Sequence, residues 1–278
     1  MRAIRLALSG LLAAVGCAPP ASPPPAEVDG LLRAALGRAA SAFQSVPVES
    51  VFTVVSDDPG GPAADLARRA DFFLARLRRE LDRPDLAPVP AVILHVADAQ
   101  RAAKLRTFLA GDAPVHALAG RHALVLLGPQ GEAEAYVALA HEVAHAALRA
   151  ALPPGLPLWL DEGLAQHWAA RHAGELLTLR QVPHRFAPVP VAAPAPDDAP
   201  RLSARTAYPE SPAELALFYR QSRRFVEEVD AARGPHPWLE ILPALARDPA
   251  AWEETLKNQF SFPPEVRQRL ALADRLAP

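Results

Sequence analysis

Two long helix-forming runs joined by Pro153-Pro154-Gly155 limit this chain more than any other feature of its sequence. Residues 132–152, EAEAYVALAHEVAHAALRAAL, are nearly all good helix formers, and residues 156–173, LPLWLDEGLAQHWAARHA, make a second helical run. Two prolines and a glycine cannot continue a helix, so the second run is expected to return antiparallel to the first and to share its inner face. That first helix carries His141-Glu142-Val143-Ala144-His145. Side chains four apart lie about 40° apart around a helix, so both imidazoles face one way, a spacing that suits a single metal ion. Glu142 is one step round the helix, placed to take a proton from a metal-activated water without being a ligand. A catalytic site of this kind needs a third protein ligand and one open position. The second helix offers Trp159-Leu160-Asp161-Glu162-Gly163-Leu164-Ala165, and with sixteen residues between His145 and Glu162 the hairpin can bring that carboxylate beside both histidines.

The chain has 278 residues and one cysteine, Cys17. It is long enough to bury a sizeable core, but a single thiol excludes a disulfide framework and a four-thiolate zinc site. Any metal centre must therefore be built from histidine and carboxylate. A net charge of −2 lacks the basic stripe that phosphate neutralisation requires, so no nucleic-acid partner is expected.

Residues 1–16, MRAIRLALSGLLAAVG, place Arg2 and Arg5 ahead of an apolar run too short to span a bilayer, the pattern of a secretion signal. Ala14-Val15-Gly16-Cys17 resembles the lipobox of bacterial lipoproteins. The resemblance implies that Cys17 is lipidated and anchors the chain to a membrane of the cell envelope, with Ala18 directing it to the outer membrane. An ordinary signal peptide that leaves Cys17 a free thiol is the alternative. Residues 17–29, rich in proline, are expected to form an extended tether ahead of one domain over 30–278.

Within that domain, residues 30–130 alternate between helix and strand. Helical periodicity over 31–43 is followed by a β-branched run at 51–56 and the turn signal Asp57-Asp58-Pro59-Gly60. The next helix, 63–82, puts Leu66, Ala70, Phe73, Leu74, Leu77 and Leu81 on one stripe. Strands are expected at 91–97 and 122–127, with a helix between them that starts at an Asp98 N-cap and runs to about Ala110. Residues 131–278 read as helical, with a proline-rich connector at 183–212 and a capping box, Ser211-Pro212-Ala213-Glu214, opening a helix to about Ala232. Further helices are expected from Pro237, from Pro249 and over about 264–276. The fold class is α+β, a small mixed sheet in the N-terminal half and a helical C-terminal half.

HEVAH followed by WLDEGLA resembles the gluzincin zinc metallopeptidases, which include thermolysin and the membrane alanyl aminopeptidases, and most closely their compact bacterial relatives, the peptidase MA-like domains. The resemblance covers roughly residues 50–275. It implies a thermolysin-like zincin fold, zinc on His141, His145 and Glu162, Glu142 as general base, and hydrolysis of a peptide or protein substrate in the envelope. It also implies a tyrosine that stabilises the oxyanion, matched by Tyr219 in Phe218-Tyr219-Arg220-Gln221-Ser222, with Tyr208 and Tyr136 as alternatives. The Gly-Met-Glu-Asn signature that reads a free substrate amine is absent, so aminopeptidase activity is not implied. In related enzymes the strand just upstream pairs with extended substrate, here expected at 122–127 as an edge. His167 and Gln166 are candidate partners of the ligands. The rival reading is a catalytically silent peptidase-like lipoprotein that binds or scaffolds in the envelope.

Overall fold

The runs read as strands, together with two short ones, build a five-stranded mixed sheet in the order β1-β2-β3-β5-β4. The strands are β1 (Gln44–Val46), β2 (Thr53–Ser56), β3 (Val92–Val96), β4 (Ala117–Ala119) and β5 (Leu124–Leu127). β2, β3 and β5 run parallel, and β1 and β4 close the two edges antiparallel. The computed structural model describes residues 24–111, 115–128, 132–152, 156–179, 208–209, 211–233, 238 and 241–242. Cys17, the 183–207 part of the connector, the Pro153-Pro154-Gly155 turn and the helices expected at Pro249 and 264–276 lie outside the described residues, as does most of the one expected at Pro237.

Strand side chains alternate between faces, and the central strands are apolar on both, as a sheet covered on two sides requires. Val55, Leu94, Val96, Val125 and Leu127 pack under α1 (Ala26–Leu36) and α3 (Ala99–Ala110). Val54, Ile93, Leu124 and Leu126 pack under α2 (Ala63–Glu80) and α4 (Glu132–Ala151). All six apolar residues of the predicted α2 stripe are buried. Asp98 caps α3, accepting from the Arg101 backbone N–H at 2.8 Å. Asp57, read only as part of a turn, also joins the two elements: its carboxylate accepts from the Ala97 and Asp98 backbone N–H groups and from the Arg101 guanidinium. One buried polar pair lies on the inner strands, Ser56 Oγ and His95 Nδ1 at 3.0 Å.

Two expectations shift. α1 begins at Ala26, with Val28 buried, so the last residues of the presumed tether are helical. The strand at 122–127 is interior, because Ala117–Ala119, too short and alanine-rich to read as a strand, pairs outside it. The sheet edge next to α4 is therefore β4. Among the described residues no helix is long and apolar enough to cross a membrane.

Beyond α4 the chain adds α5 (Leu158–Leu179) and α6 (Pro212–Arg233), so α5 is packed between α4 and α6. Ser211 Oγ accepts from the Glu214 N–H, as the capping box requires. Gly163 is the closest approach: a Cβ there would stand 2.5 Å from the Ser222 carbonyl oxygen and 2.8 Å from Val226 Cγ2. No side chain fits that gap without pushing α5 and α6 apart. Trp159 meets Phe225 edge to face one turn away, ring centroids 4.7 Å apart. On the other side of α5, His172 is buried against α2, and burial with nearby Arg171, Arg76 and His167 lowers its pKa to about 3.

Two outcomes follow. Gly163→Ala should lower the urea unfolding free energy by roughly 1–3 kcal/mol, the cost of overpacking, and an unchanged midpoint would contradict the close contact. His172 stays neutral when folded but protonates near pH 6.5 when unfolded, so the unfolded chain binds the extra proton and stability falls as pH drops from about 6.5 towards 3. His172→Leu should flatten that slope relative to the parent chain between pH 7 and 5, and parallel stability curves would exclude His172 as its source.

Candidate metal centre

The helical spacing of His141 and His145 brings their Nε2 atoms to 3.1 Å, with the rings edge to face. α5 then delivers Glu162 from its first turns: Oε2 lies 3.3 Å from His141 Nε2 and Oε1 lies 3.5 Å from His145 Nε2. Two ligands bound at about 2.05 Å to one tetrahedral ion are separated by about 3.3 Å. The three observed separations bracket that value, so His141, His145 and Glu162 can hold one metal ion.

The electrostatics agree. Glu162 is buried, which favours its neutral form, but hydrogen bonding and charge from His141 and His145 outweigh burial and hold its pKa well below the usual carboxylate range. It is therefore an anion enclosed by protein, and its Oε2 accepts no hydrogen bond among the described residues. A buried anion with a free lone pair is costly unless a cation meets it. Its Oε1 accepts from the Tyr208 hydroxyl. For His145, burial lowers the pKa, yet Asp161 and Glu162 overcome it and push the pKa well up.

Asp161 is the residue that sequence reasoning passed over. Its Oδ1 lies 3.1 Å from His145 Nδ1, so the Nδ1–H donates to the carboxylate and the Nε2 lone pair is left for a metal. The signal was present as the acid beside Glu162, but neighbouring residues on a helix point about 100° apart, and only the packing of α4 on α5 shows that both reach the histidines. His167 lies instead towards α6, Nε2 3.4 Å from Asp230 Oδ2.

Glu142 is buried beside the cluster, and burial raises its pKa above the usual carboxylate value against the pull of His141 and His145. Arg149 also acts on it, drawing it down. The three tyrosines separate. Tyr136 turns to α2, its hydroxyl 3.4 Å from Asp65 Oδ2 and its ring under the Arg69 guanidinium. Tyr219 is half-buried about two turns into α6, its ring 6.4 Å from that of Tyr208, and burial with the charges of Glu162 and Glu142 raises its pKa. Tyr208 is the one that touches a ligand, and burial together with Glu162 raises its pKa as well.

Replacing Asp161 by Asn should weaken divalent-metal affinity about 10- to 100-fold, as loss of a ligand's hydrogen-bond partner does. Competition with a chromophoric chelator measures it, and an unchanged affinity would remove Asp161 from the site.

No protein-family model matches the sequence, and no curated protein matches it either.

Proposed function

We propose that this protein is a zinc-dependent metallopeptidase of the gluzincin type, held at the bacterial cell envelope by a lipidated Cys17. The observation that carries the reading is the convergence of His141, His145 and Glu162 from two helices with Glu142 buried alongside. Two imidazoles and one carboxylate are a donor set that suits zinc and leaves a position open for catalysis. Zinc bound there would supply Lewis acidity and draw the pKa of a water down towards neutrality.

The remaining work belongs to the chain. Glu142 takes the proton from the attacking water and passes it to the leaving amine. Tyr219 and Tyr208 keep their protons at neutral pH, because burial and Glu162 oppose ionisation of both, so each remains a hydrogen-bond donor. Tyr219, free of the ligand contact that engages Tyr208, is assigned to the oxyanion, a role worth a few kcal/mol of barrier. Asp161 holds His145 in the required tautomer. β4, the edge next to α4, offers the outward backbone groups of Ala117 and the Ala119 N–H to an extended peptide.

The Glu142→Gln variant should bind zinc in the same stoichiometry and cleave a mixed peptide library at least about 100-fold more slowly than the parent chain. Equal cleavage by the two would refute the assignment. Absence of cleavage by either would favour a silent peptidase-like binding protein.

A further inference from the structure

A cavity of about 400 Å³ opens at the end of β4, lined by Val89, Pro90, Ala119, Arg121 and Arg149. Two of these five residues are arginines and none is an acid. The walls are fixed in place. Arg149 reaches from α4 to the edge strand, donating through Nη2 to the Ala119 carbonyl at 2.9 Å and through Nη1 to the Gly120 carbonyl at 3.2 Å. The Val89 N–H donates to the Ala146 carbonyl and so seats the 87–90 loop on the same helix. A guanidinium has five N–H donors, so Arg149 keeps several for a guest. Arg121 is exposed and makes no hydrogen bond or ion pair among the described residues.

Position relates this cavity to the metal centre. Glu142 and Arg149 are seven residues apart on α4, two turns, so they lie nearly in line and about 10 Å apart along the axis. Ala117 and Ala119 turn their side chains towards the core that includes α4. A residue paired directly opposite Ala119 on an added strand would present its side chain to that same face, at the cavity.

We propose that this cavity is a specificity pocket for an acidic side chain, Asp or Glu, carried by the substrate at the residue opposite Ala119 and bound by Arg121 and Arg149. The proposal rests on the peptidase reading and adds the substrate class to it. Carboxylates suit paired guanidinium groups through charge-assisted hydrogen bonds, and an amide of the same shape would forfeit that charge.

The test uses the zinc-loaded full chain carrying Glu142→Gln, which binds without turnover. End-capped fluorescent peptides, with one Glu walked along a neutral sequence and each paired with its Gln counterpart, are titrated by anisotropy. One register should show the Glu peptide binding about tenfold more tightly, the strength of a charge-assisted contact, and adding Arg121→Gln should shrink that difference at that register. Equal affinity of Glu and Gln at every register, a preference undiminished by Arg121→Gln, or no binding at all would overturn the pocket. Failure of the peptidase reading shows separately, as peptides bound with the acid preference that the parent chain does not cleave.

Discussion

Gly163 lies where the backbone of α5 meets the backbone of α6, and α5 packs on α4 from the other side. Because the added Cβ would stand 2.5 Å from a main-chain oxygen, the helix pair can close only around a glycine. Closure presses α5 onto α4, and the adjacent residues Asp161 and Glu162 then reach the two histidines. The apolar residues around them, Trp159, Leu160, Leu164, Val143 and Ala144, are buried and hold the polar atoms within tenths of an ångström of their separations. The geometry of the metal centre is thus a packing result first and an electrostatic one second.

Burying a carboxylate without a partner costs several kcal/mol. Glu162 offsets that cost with an imidazole beside each oxygen and with the Tyr208 hydroxyl on Oε1. Glu142, buried on the same helix as the histidines, has weaker compensation and is driven towards its protonated form. Two buried acids are therefore pushed in opposite directions by their surroundings, Glu162 towards its charged form and Glu142 towards its neutral one. Arg149 connects this arrangement to the sheet, since it lies two turns further along α4 and holds the end of β4 through two carbonyls.

Much of this was legible in the sequence because it depends on local spacing. The α2 stripe, the Asp98 cap, the capping box at Ser211 and the two histidines of α4 are all fixed within a few residues of chain. Glu162 was legible because a proline-glycine break between two long helices implies a hairpin. What escaped depends on contacts distant in sequence. β4 has three residues, two of them alanine, and becomes a strand only by pairing with β5. β1 is equally short and pairs with β2. Asp161 acts across sixteen residues, and Tyr208 reaches Glu162 from 46 residues away at the end of a proline-rich stretch that carries no periodicity.

The account stands on one metal ion shared by α4 and α5. The most direct measurement is an anomalous-difference map, recorded at the zinc edge, from crystals of the protein loaded with one equivalent of zinc. A single peak roughly 2.0–2.2 Å from His141 Nε2, His145 Nε2 and a Glu162 carboxylate oxygen is the predicted result. A peak elsewhere in the molecule, or a zinc-free cluster with the metal retained by other groups, would contradict it.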